Sequence, residues 1–243
     1  MGSSDAVLAR RAISCIDLTN LDDHCGAADI DRLCDDARKH AVAAVCVWPD
    51  FVASARHRLG GSAVRVATVV NFPTGDERAS AAGGRAARAE ADGADEVDVV
   101  LPYRAWLAGD LGRAADVLDT VRSAIGLGVT LKVIIESGEL GGSDTVRAAA
   151  RFAIEHGADM VKTSTGKTPV SATPDAVAAI VEAIIESGRD MGVKASGGIR
   201  TFAQAAEYLD LVDARMGSGW ATPDRFRFGA SGLLTALIDE LGQ

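Results

Sequence analysis

The sequence predicts a single-domain (β/α)8 barrel, the TIM-barrel fold of the α/β class, from three observations. Short runs rich in branched residues alternate with longer Ala-rich stretches of helical period along the whole chain. Eight such strand–helix units fill 243 residues, which is the ordinary size of this barrel. Apolar residues make up 48% of the chain and aromatic residues only 5%, as in a parallel sheet covered by Ala-rich helices. An open, doubly wound sheet is the alternative architecture.

The predicted strands are short runs bounded by turn residues. They are 12–17 (AISCID), 43–48 (AAVCVW), 64–70 (VRVATVV), 96–101 (EVDVVL), 130–135 (TLKVII), 159–163 (DMVKT), 193–196 (VKAS) and 211–216 (LVDARM). The predicted helices between them include 29–39, 77–91, 111–125, 144–156, 174–187 and 201–208. Residues 1–11 are expected to form an N-terminal helix or tail. Because no linker divides the chain, residues 1–243 are predicted to be one domain.

Helix ends and helix starts carry the residues that favour them. Gly93 and Gly157 each follow a helical stretch and precede a strand, and glycine accepts the left-handed conformation that ends a helix. Thr173 and Pro174 mark the start of another predicted helix, because threonine is a favoured N-cap residue and proline is favoured at the first helical position.

Composition and charge exclude several function classes. The formal net charge is −9 without a basic run, so we expect neither nucleic acid nor an anionic membrane as a partner. No apolar run reaches the roughly 18 residues of a membrane span, and the start lacks the apolar core of a signal peptide. The four cysteines, Cys15, Cys25, Cys34 and Cys46, form no C-x-x-C pair. Free thiols in the cytoplasm and no metal site are therefore expected.

Five charged residues fall inside predicted strands, where a barrel covered on both faces should be apolar. They are Asp17, Asp98, Lys132, Lys162 and Lys194. Any one of them alone is most simply part of an internal ion pair, because buried charges need partners. Asp98, Lys162 and Lys194, however, lie near the carboxyl ends of the fourth, sixth and seventh strands. Active sites of such barrels assemble at that end, so the three together predict a catalytic group.

Two lysines and a carboxylate at one barrel mouth can perform imine chemistry. A free lysine amine has a pKa of about 10.4 and is charged at neutral pH, but burial and a second cation favour its neutral form. Lys194 is therefore predicted to lower the pKa of Lys162, whose neutral amine can attack a carbonyl. Asp98 would pass protons through a water molecule. This chemistry requires no metal and no cofactor.

Three glycine-containing segments are candidate anion-binding loops. Residues 163–167 follow the sixth strand, 196–200 follow the seventh, and 228–232 open the final helix. Glycine lets the backbone approach a ligand closely, and N–H groups at a helix start point at an anion. A glycine pair at one such turn is usually only a turn, whereas three in matching positions predict a phosphate site.

Two nucleotide-binding motifs are excluded. Gly166-Lys167-Thr168 resembles the end of a P-loop, but Val161 stands where that motif needs glycine. The run 217–219 (GSG) lacks the third glycine of a dinucleotide fingerprint, because position 222 is threonine.

The sequence resembles the deoxyribose-phosphate aldolases along almost its whole length. The matching segments are 16–19 with Leu21, 45–47, 71–73, 95–100, 131–136, 161–167, 194–200 and 227–231. The DEVDVV strand and the VKTSTGK segment are the most specific of them. The resemblance implies a class I aldolase, a lyase that reversibly cleaves 2-deoxy-D-ribose 5-phosphate to acetaldehyde and D-glyceraldehyde 3-phosphate in deoxynucleoside breakdown.

The resemblance also implies roles for individual residues. Lys162 would form the Schiff base, and Asp98 and Lys194 would donate and accept protons. The residues implied to surround the substrate or its phosphate are Thr165, Gly166, Lys167, Gly197, Gly198, Arg200, Gly229 and Ser231. The residues implied to support the site are Asp17, Thr19, Cys46 and Lys132. The expected partners are small phosphosugar and aldehyde substrates, and a homodimer is the family-level expectation.

Three features depart from the common pattern of this family. Gly232 stands where a second serine is frequent, and Thr74 follows Asn71-Phe72-Pro73 where histidine is frequent. The sequence ends at Gln243 without the tyrosine-terminated tail of some members. These departures bear on phosphate affinity and turnover rather than on imine formation.

Two other functions are compatible with the same motifs. A related barrel enzyme would isomerise a phosphosugar with the phosphate loops but without an imine lysine. A non-catalytic protein would bind a phosphosugar and release no acetaldehyde.

Overall fold

The computed structural model describes residues 3–242, and its parallel strands close into a barrel in sequence order. The strands are β1 (Ile16–Asn20), β2 (Ala44–Val47), β3 (Arg65–Val70), β4 (Glu96–Val100), β5 (Thr130–Ile134), β6 (Met160–Lys162), β7 (Gly192–Ser196) and β8 (Phe226–Ala230). The barrel closes where β1 pairs with β8, with Asp17 opposite Gly229. The predicted (β/α)8 barrel is therefore confirmed, and the open sheet is excluded.

Helices cover the outside of the barrel. They are α1 (Ser3–Ser14), α2 (Ala27–His40), α3 (Val52–Arg58), α4 (Ala79–Ala91), α5 (Tyr103–Leu107), α6 (Leu111–Ala124), α7 (Ser143–Glu155), α8 (Pro174–Ser187), α9 (Phe202–Met216) and α10 (Leu233–Gly242). Short 3-10 turns, Pro49–Phe51 and Ser137–Glu139, follow β2 and β5. None of the helices within residues 3–242 has both the length and the apolarity needed to cross a membrane.

The predicted helix boundaries follow from local chemistry. The Thr173 hydroxyl accepts a hydrogen bond from the backbone N–H of Ala176, and Pro174 is the first residue of α8. Gly93 and Gly157 have φ angles of 100° and 84°, which end the preceding helices as predicted.

One predicted strand is displaced and another is wrong. Residues 12–14 belong to α1, which continues past residue 11 to Ser14, so the first strand begins only at Ile16. Residues 211–216 form the last turns of α9, and the eighth strand is 226–230. The run LVDARM is rich enough in branched residues to resemble a strand, but it continues the apolar face of α9 through the buried Leu209 and Val212. The candidate loop 228–232 consequently ends β8, and α10 begins after it at Leu233.

The two faces of the strands differ in chemistry, and this difference creates the site. Val97, Val99 and Val133 alternate with charged residues along β4 and β5, and all three are fully buried. Because side chains of a strand alternate between its faces, the charged residues share the opposite face, inside the barrel.

Candidate active site

Seven charged side chains fill the inside of the barrel and form what we call the charged cluster. Its members are Asp17 (β1), Glu96 and Asp98 (β4), Lys132 (β5), Lys162 (β6), Lys194 (β7) and Arg227 (β8). Lys162 is 3% exposed and the other six are 0% exposed. All five charged residues singled out in the sequence are thus brought together in one group.

Asp98 lies at the centre of the charged cluster and contacts three lysines. Its Oδ1 accepts a hydrogen bond from Lys132 Nζ at 2.7 Å, and its Oδ2 accepts from Lys162 Nζ at 2.9 Å and from Lys194 Nζ at 2.8 Å. Burial alone would raise the pKa of Asp98, but the three cations outweigh it and hold that pKa well below its ordinary value. Asp98 is therefore an ionised carboxylate at neutral pH.

The deeper part of the charged cluster is held by two further carboxylates. Asp17 contacts Arg227 through Oδ1 and Lys194 through Oδ2, each at 2.5 Å. Glu96 contacts Arg227 at 2.7 Å and Lys132 at 2.5 Å. Every fully buried charge in this layer therefore has at least two partners of opposite sign, which offsets the cost of removing it from water.

Strand register places the reacting lysine beside its neighbour. Lys162 is paired with Lys194 across β6 and β7, and Asp98 is paired with Lys132 across β4 and β5. Adjacent strands lie about 4.8 Å apart, so paired side chains on the same face are direct neighbours. Lys162 is the last residue of β6, whereas Asp98 and Lys194 lie in the middle of their strands, deeper than the sequence suggested.

The two paired lysines differ in acidity. Burial lowers the pKa of Lys162 below its ordinary value, and the charge of Lys194 lowers it further, while Asp98 opposes both. Burial also acts on Lys194, but the carboxylates of Asp17 and Asp98 outweigh it and raise the pKa of Lys194. Lys194 therefore remains a cation, and Lys162 is the lysine that can become a neutral amine. For Lys162 itself, burial lowers the pKa more than the neighbouring cation does, although the sequence argument relied mainly on that cation.

A cavity of about 860 Å³ opens at the carboxyl ends of the strands, directly above Lys162. Thr19, Asn20 and Leu21 form one wall, together with Asp22 and Asp23. All eight residues implied to surround the substrate line it: Thr165, Gly166, Lys167, Gly197, Gly198, Arg200, Gly229 and Ser231. Within the described residues, Lys162 is the one member of the charged cluster that lines this cavity.

The loop after β6 is held by a residue that the sequence analysis did not single out. The Glu136 carboxylate accepts hydrogen bonds from the backbone N–H of Thr165 at 3.2 Å and from its hydroxyl at 2.6 Å. Thr168 donates a third hydrogen bond to it at 3.1 Å. Glu136 is fully buried and has a left-handed φ of 51°, a strained conformation for a non-glycine residue. Glu136 therefore fixes the loop that carries Lys167.

Two cationic side chains that line the cavity, Lys167 and Arg200, lie outside the charged cluster. The ammonium of Lys167 reaches across the cavity and donates to the carbonyl oxygen of Leu21 at 2.8 Å. Arg200 lines the cavity and is exposed, and its backbone N–H donates to the Gln204 side chain. Both are available to an anionic group without being buried in the charged cluster.

Gly229 makes room for Lys194. A Cβ atom at residue 229 would lie 2.0 Å from Ser196 Oγ, which is closer than atoms approach in proteins, and 3.0 Å from Lys194 Cε, which is a tight contact. Glycine at residue 229 therefore leaves room for the observed positions of the Ser196 and Lys194 side chains.

Thr19 and Cys46, which the family resemblance implied to support the site, lie outside the charged cluster. Thr19 lines the cavity, and its hydroxyl donates to the backbone carbonyl oxygen of Asp17 at 2.8 Å. Cys46 is buried in a small apolar cluster with Leu21 and Val69, and burial raises the pKa of its thiol. Neither contributes a charge to the cluster.

Glu96 and Arg227 were also missed from the sequence, although a signal for each is present. Glu96 stands two positions before Asp98, and Arg227 two positions before Gly229. Because residues i and i+2 of a strand share a face, this spacing could have placed both side chains inside the barrel with Asp98 and Gly229.

The opposite end of the barrel has a cavity of a different kind. It measures about 610 Å³, and its lining includes Arg65, Arg225, Asp159 and Asp224 but, within the described residues, no lysine or cysteine. Among residues 3–242, no three or more His, Cys, Asp or Glu side chains are arranged so that they could hold a metal ion. Of the cavities at the two ends of the described barrel, the one at the carboxyl end is therefore the one that lysines line.

Comparison with known proteins places these residues in context. Residues 11–236 match the sequence model of the family described as DeoC/LacD family aldolase. The chain is 44% identical over 236 residues to the deoxyribose-phosphate aldolase of Agrobacterium fabrum (strain C58), covering 96% of this chain and 91% of that protein.

Solved structures give the same result. An apo structure from Toxoplasma gondii ME49, described as a deoxyribose-phosphate aldolase, superposes with a TM-score of 0.90 at 28% identity, covering 99% of this chain and 98% of that one. The tetrameric deoxyribose phosphate aldolase from Aeropyrum pernix superposes with a TM-score of 0.78 at 25% identity, covering 99% and 98%.

Proposed function

Since the chain belongs to the DeoC/LacD family of aldolases, we propose that it reversibly cleaves 2-deoxy-D-ribose 5-phosphate through a Schiff base on Lys162. Its products would be acetaldehyde and D-glyceraldehyde 3-phosphate, as in deoxynucleoside and carbohydrate breakdown. The observation that carries this proposal is the position of Lys162, a lysine with a lowered pKa at the floor of the cavity and 2.9 Å from the Asp98 carboxylate.

The first half of the reaction is imine formation. The neutral Nζ of Lys162 attacks C1 of the open-chain sugar, and the carbonyl oxygen leaves as water after taking up protons. The product is a protonated imine, whose positive nitrogen can accept an electron pair. Lys194 is proposed to act through its fixed charge, because its raised pKa makes it a reluctant proton donor.

The second half of the reaction breaks the carbon–carbon bond. The C3 hydroxyl loses its proton, and the electrons of the C2–C3 bond move toward the imine nitrogen, which releases D-glyceraldehyde 3-phosphate and leaves an enamine on Lys162. Protonation at C2 and hydrolysis then release acetaldehyde and restore the amine. We assign the proton relay to Asp98, since it is the carboxylate that contacts Lys162, and we propose that a water molecule carries protons between it and the substrate.

The phosphate is proposed to bind on the side of the cavity formed by the loops after β6, β7 and β8. Gly166, Gly197 and Gly198 have positive φ angles, so their backbones turn sharply beside the cavity. Lys167 and Arg200 supply positive charge at the same rim. The loops after the seventh and eighth strands are a recurrent phosphate site in barrel enzymes.

Reductive trapping tests the nucleophile. Incubation with acetaldehyde and a borohydride reagent is expected to leave an ethyl group on Lys162, located by peptide mass spectrometry. Lys162→Ala should abolish both the adduct and the release of acetaldehyde from deoxyribose 5-phosphate. Lys39→Ala, which removes an exposed lysine of α2, is the matched control and should retain both. An adduct confined to another lysine, or full turnover in Lys162→Ala, would contradict the proposal.

The cysteines bear on the location of the protein, and the family resemblance bears on its assembly. The free thiols of Cys15, Cys25, Cys34 and Cys46 support a reducing compartment, the cytoplasm. A homodimer is proposed on the family resemblance, and light scattering at micromolar concentration decides between a dimer and a larger assembly.

A further inference from the structure

The charged cluster contains one more cation than it contains carboxylates. Its cations are Lys132, Lys162, Lys194 and Arg227, and its carboxylates are Asp17, Glu96 and Asp98. An unpaired charge that is removed from water is destabilising, so a buried group of charges favours overall neutrality. The cluster is neutral when one of its four cations gives up a proton.

The contacts identify which cation this is. Lys132 lies within 4 Å of all three carboxylates, and Lys194 and Arg227 each contact two. Lys162 contacts only Asp98, whose same oxygen also binds Lys194. Arginine does not lose its proton in proteins. Lys162 therefore has the weakest hold on its proton.

We propose that Glu96 and Arg227 are positioning residues that set the protonation state of Lys162 by fixing the charge balance of the cluster. The proposal rests on the Schiff-base role of Lys162 proposed above. Neither residue lines the carboxyl-end cavity, so their effect on the reaction is indirect.

A continuous chain of ion pairs connects Arg227 to Lys162. Arg227 contacts Asp17 at 2.5 Å, Asp17 contacts Lys194 at 2.5 Å, and Lys194 shares Asp98 with Lys162. Removing the charge of Arg227 frees Asp17 to hold the remaining cations more strongly, which keeps Lys162 protonated.

A second chain runs from Glu96 through Lys132. Glu96 contacts Lys132 at 2.5 Å, and Lys132 contacts Asp98 at 2.7 Å. Removing the charge of Glu96 leaves Asp98 as the main counter-ion of Lys132. Asp98 then stabilises the protonated form of Lys162 less strongly. The two residues are therefore predicted to shift the pKa of Lys162 in opposite directions.

The other titratable groups around the cluster do not change this balance. On β2, burial raises the pKa of the Cys46 thiol, which is neutral. On β3, Arg65 is 37% exposed, lies 3.4 Å from Glu96 and is compensated by Asp224 at 2.5 Å. At the end of β5, the Glu136 carboxylate binds the hydroxyls and the N–H of the β6 loop.

The test measures the pKa of Lys162 without substrate. The rate at which an amine-reactive probe, fluorodinitrobenzene, labels Lys162 is followed against pH by peptide mass spectrometry. Glu96→Gln is expected to lower this pKa by about one unit, and Arg227→Gln to raise it by about one unit. The double variant removes one charge of each sign and should return the pKa to the wild-type value.

Controls separate charge from loss of structure. Thr68→Val alters a buried residue of β3 without changing charge and should leave the Lys162 pKa unchanged. If Arg227→Gln does not fold, Arg227→Lys is measured in its place. Because Arg227→Lys keeps the positive charge, it should leave the pKa of Lys162 unchanged, whereas Glu96→Gln should still lower it. Shifts of the same sign, or no shift in Glu96→Gln, overturn the proposal. Failure of the wild-type protein to form the acetaldehyde adduct would instead overturn the proposed function. The labelling experiment uses no substrate, so its result is independent of that outcome.

Discussion

Lys162 and Lys194 are register partners on β6 and β7, and their ammonium groups approach the same oxygen of Asp98. The two lysines nevertheless differ in chemistry, because Lys194 has Asp17 as a second carboxylate partner and Lys162 opens to the cavity. The pKa of Lys194 is raised and that of Lys162 is lowered. Pairs of titratable groups whose pKa values are pushed apart are typical of active sites.

Lys194→Gln is expected to shift the pH dependence of turnover. The positive charge of Lys194 lowers the pKa of Lys162, so its removal raises that pKa and leaves less neutral amine at neutral pH. We expect kcat/KM to fall by about 10²-fold at pH 7 and to recover partly at alkaline pH. The profile of kcat/KM from pH 6 to 10 measures this. An equal loss at every pH would show that Lys194 acts in another way.

Gly229→Ala is expected to displace Lys194 from Asp98. The added methyl group would collide with Ser196 Oγ and press on Lys194 Cε. A displacement of about 1 Å in a catalytic group can cost about 10²-fold in rate, so kcat should fall by roughly that factor. Gly128→Ala is the matched control, since a Cβ there meets no atom within 4 Å. Equal kcat values in the two variants would refute the packing argument.

Glu136→Gln is expected to weaken substrate binding more than it slows the chemical step. The amide that replaces the carboxylate can no longer accept all three hydrogen bonds from Thr165 and Thr168, so the loop that carries Lys167 loses its fixed position. We expect KM to rise about tenfold with a smaller change in kcat. The exposed Glu139→Gln serves as the control, and steady-state kinetics of both variants decide the matter.

Acid is expected to unfold the protein cooperatively through the charged cluster. The pKa values of Asp17, Glu96 and Asp98 are lowered in the fold, so these groups bind fewer protons there than in the unfolded chain. Their stabilisation is complete above the unfolded pKa of about 4 and is lost as the pH falls below it. The free energy of unfolding, measured in urea, should fall with decreasing pH below pH 4. The uptake of one proton on unfolding gives a slope of about 1.4 kcal/mol per pH unit, and the slope here should be steeper. A flat dependence down to pH 3 would contradict this.

The fold could be predicted from the sequence where periodicity and turn residues agree. The start of α8 at Pro174 and the strand at 96–100 follow directly from capping and from branched residues. The eighth strand could not be found in this way, because FRFGA contains only two residues of high strand preference and ends in glycine and alanine. Its place is determined by pairing with β1 and β7 on barrel closure.

The site could be predicted as a set of residues but not as a set of contacts. Charges in strands and the family resemblance select Asp98, Lys162 and Lys194, and family membership favours an aldolase over an isomerase or a binding protein. The pairing of Arg227 with Glu96 depends on the shear of a closed barrel and on long side chains that cross its interior. Sequence spacing contains no information about that distance.

The distribution of the buried charges over six strands also bears on how the chain reaches its native state. A slip of one residue in any of these strands would turn its charged side chain outward, into the layer of valines and alanines beneath the helices. An ammonium or carboxylate there would have no counter-ion and would cost several kcal/mol, far more than a misplaced methyl group. The ionic interior therefore penalises misaligned intermediates during folding, a selectivity that an all-hydrocarbon core of the same volume would lack.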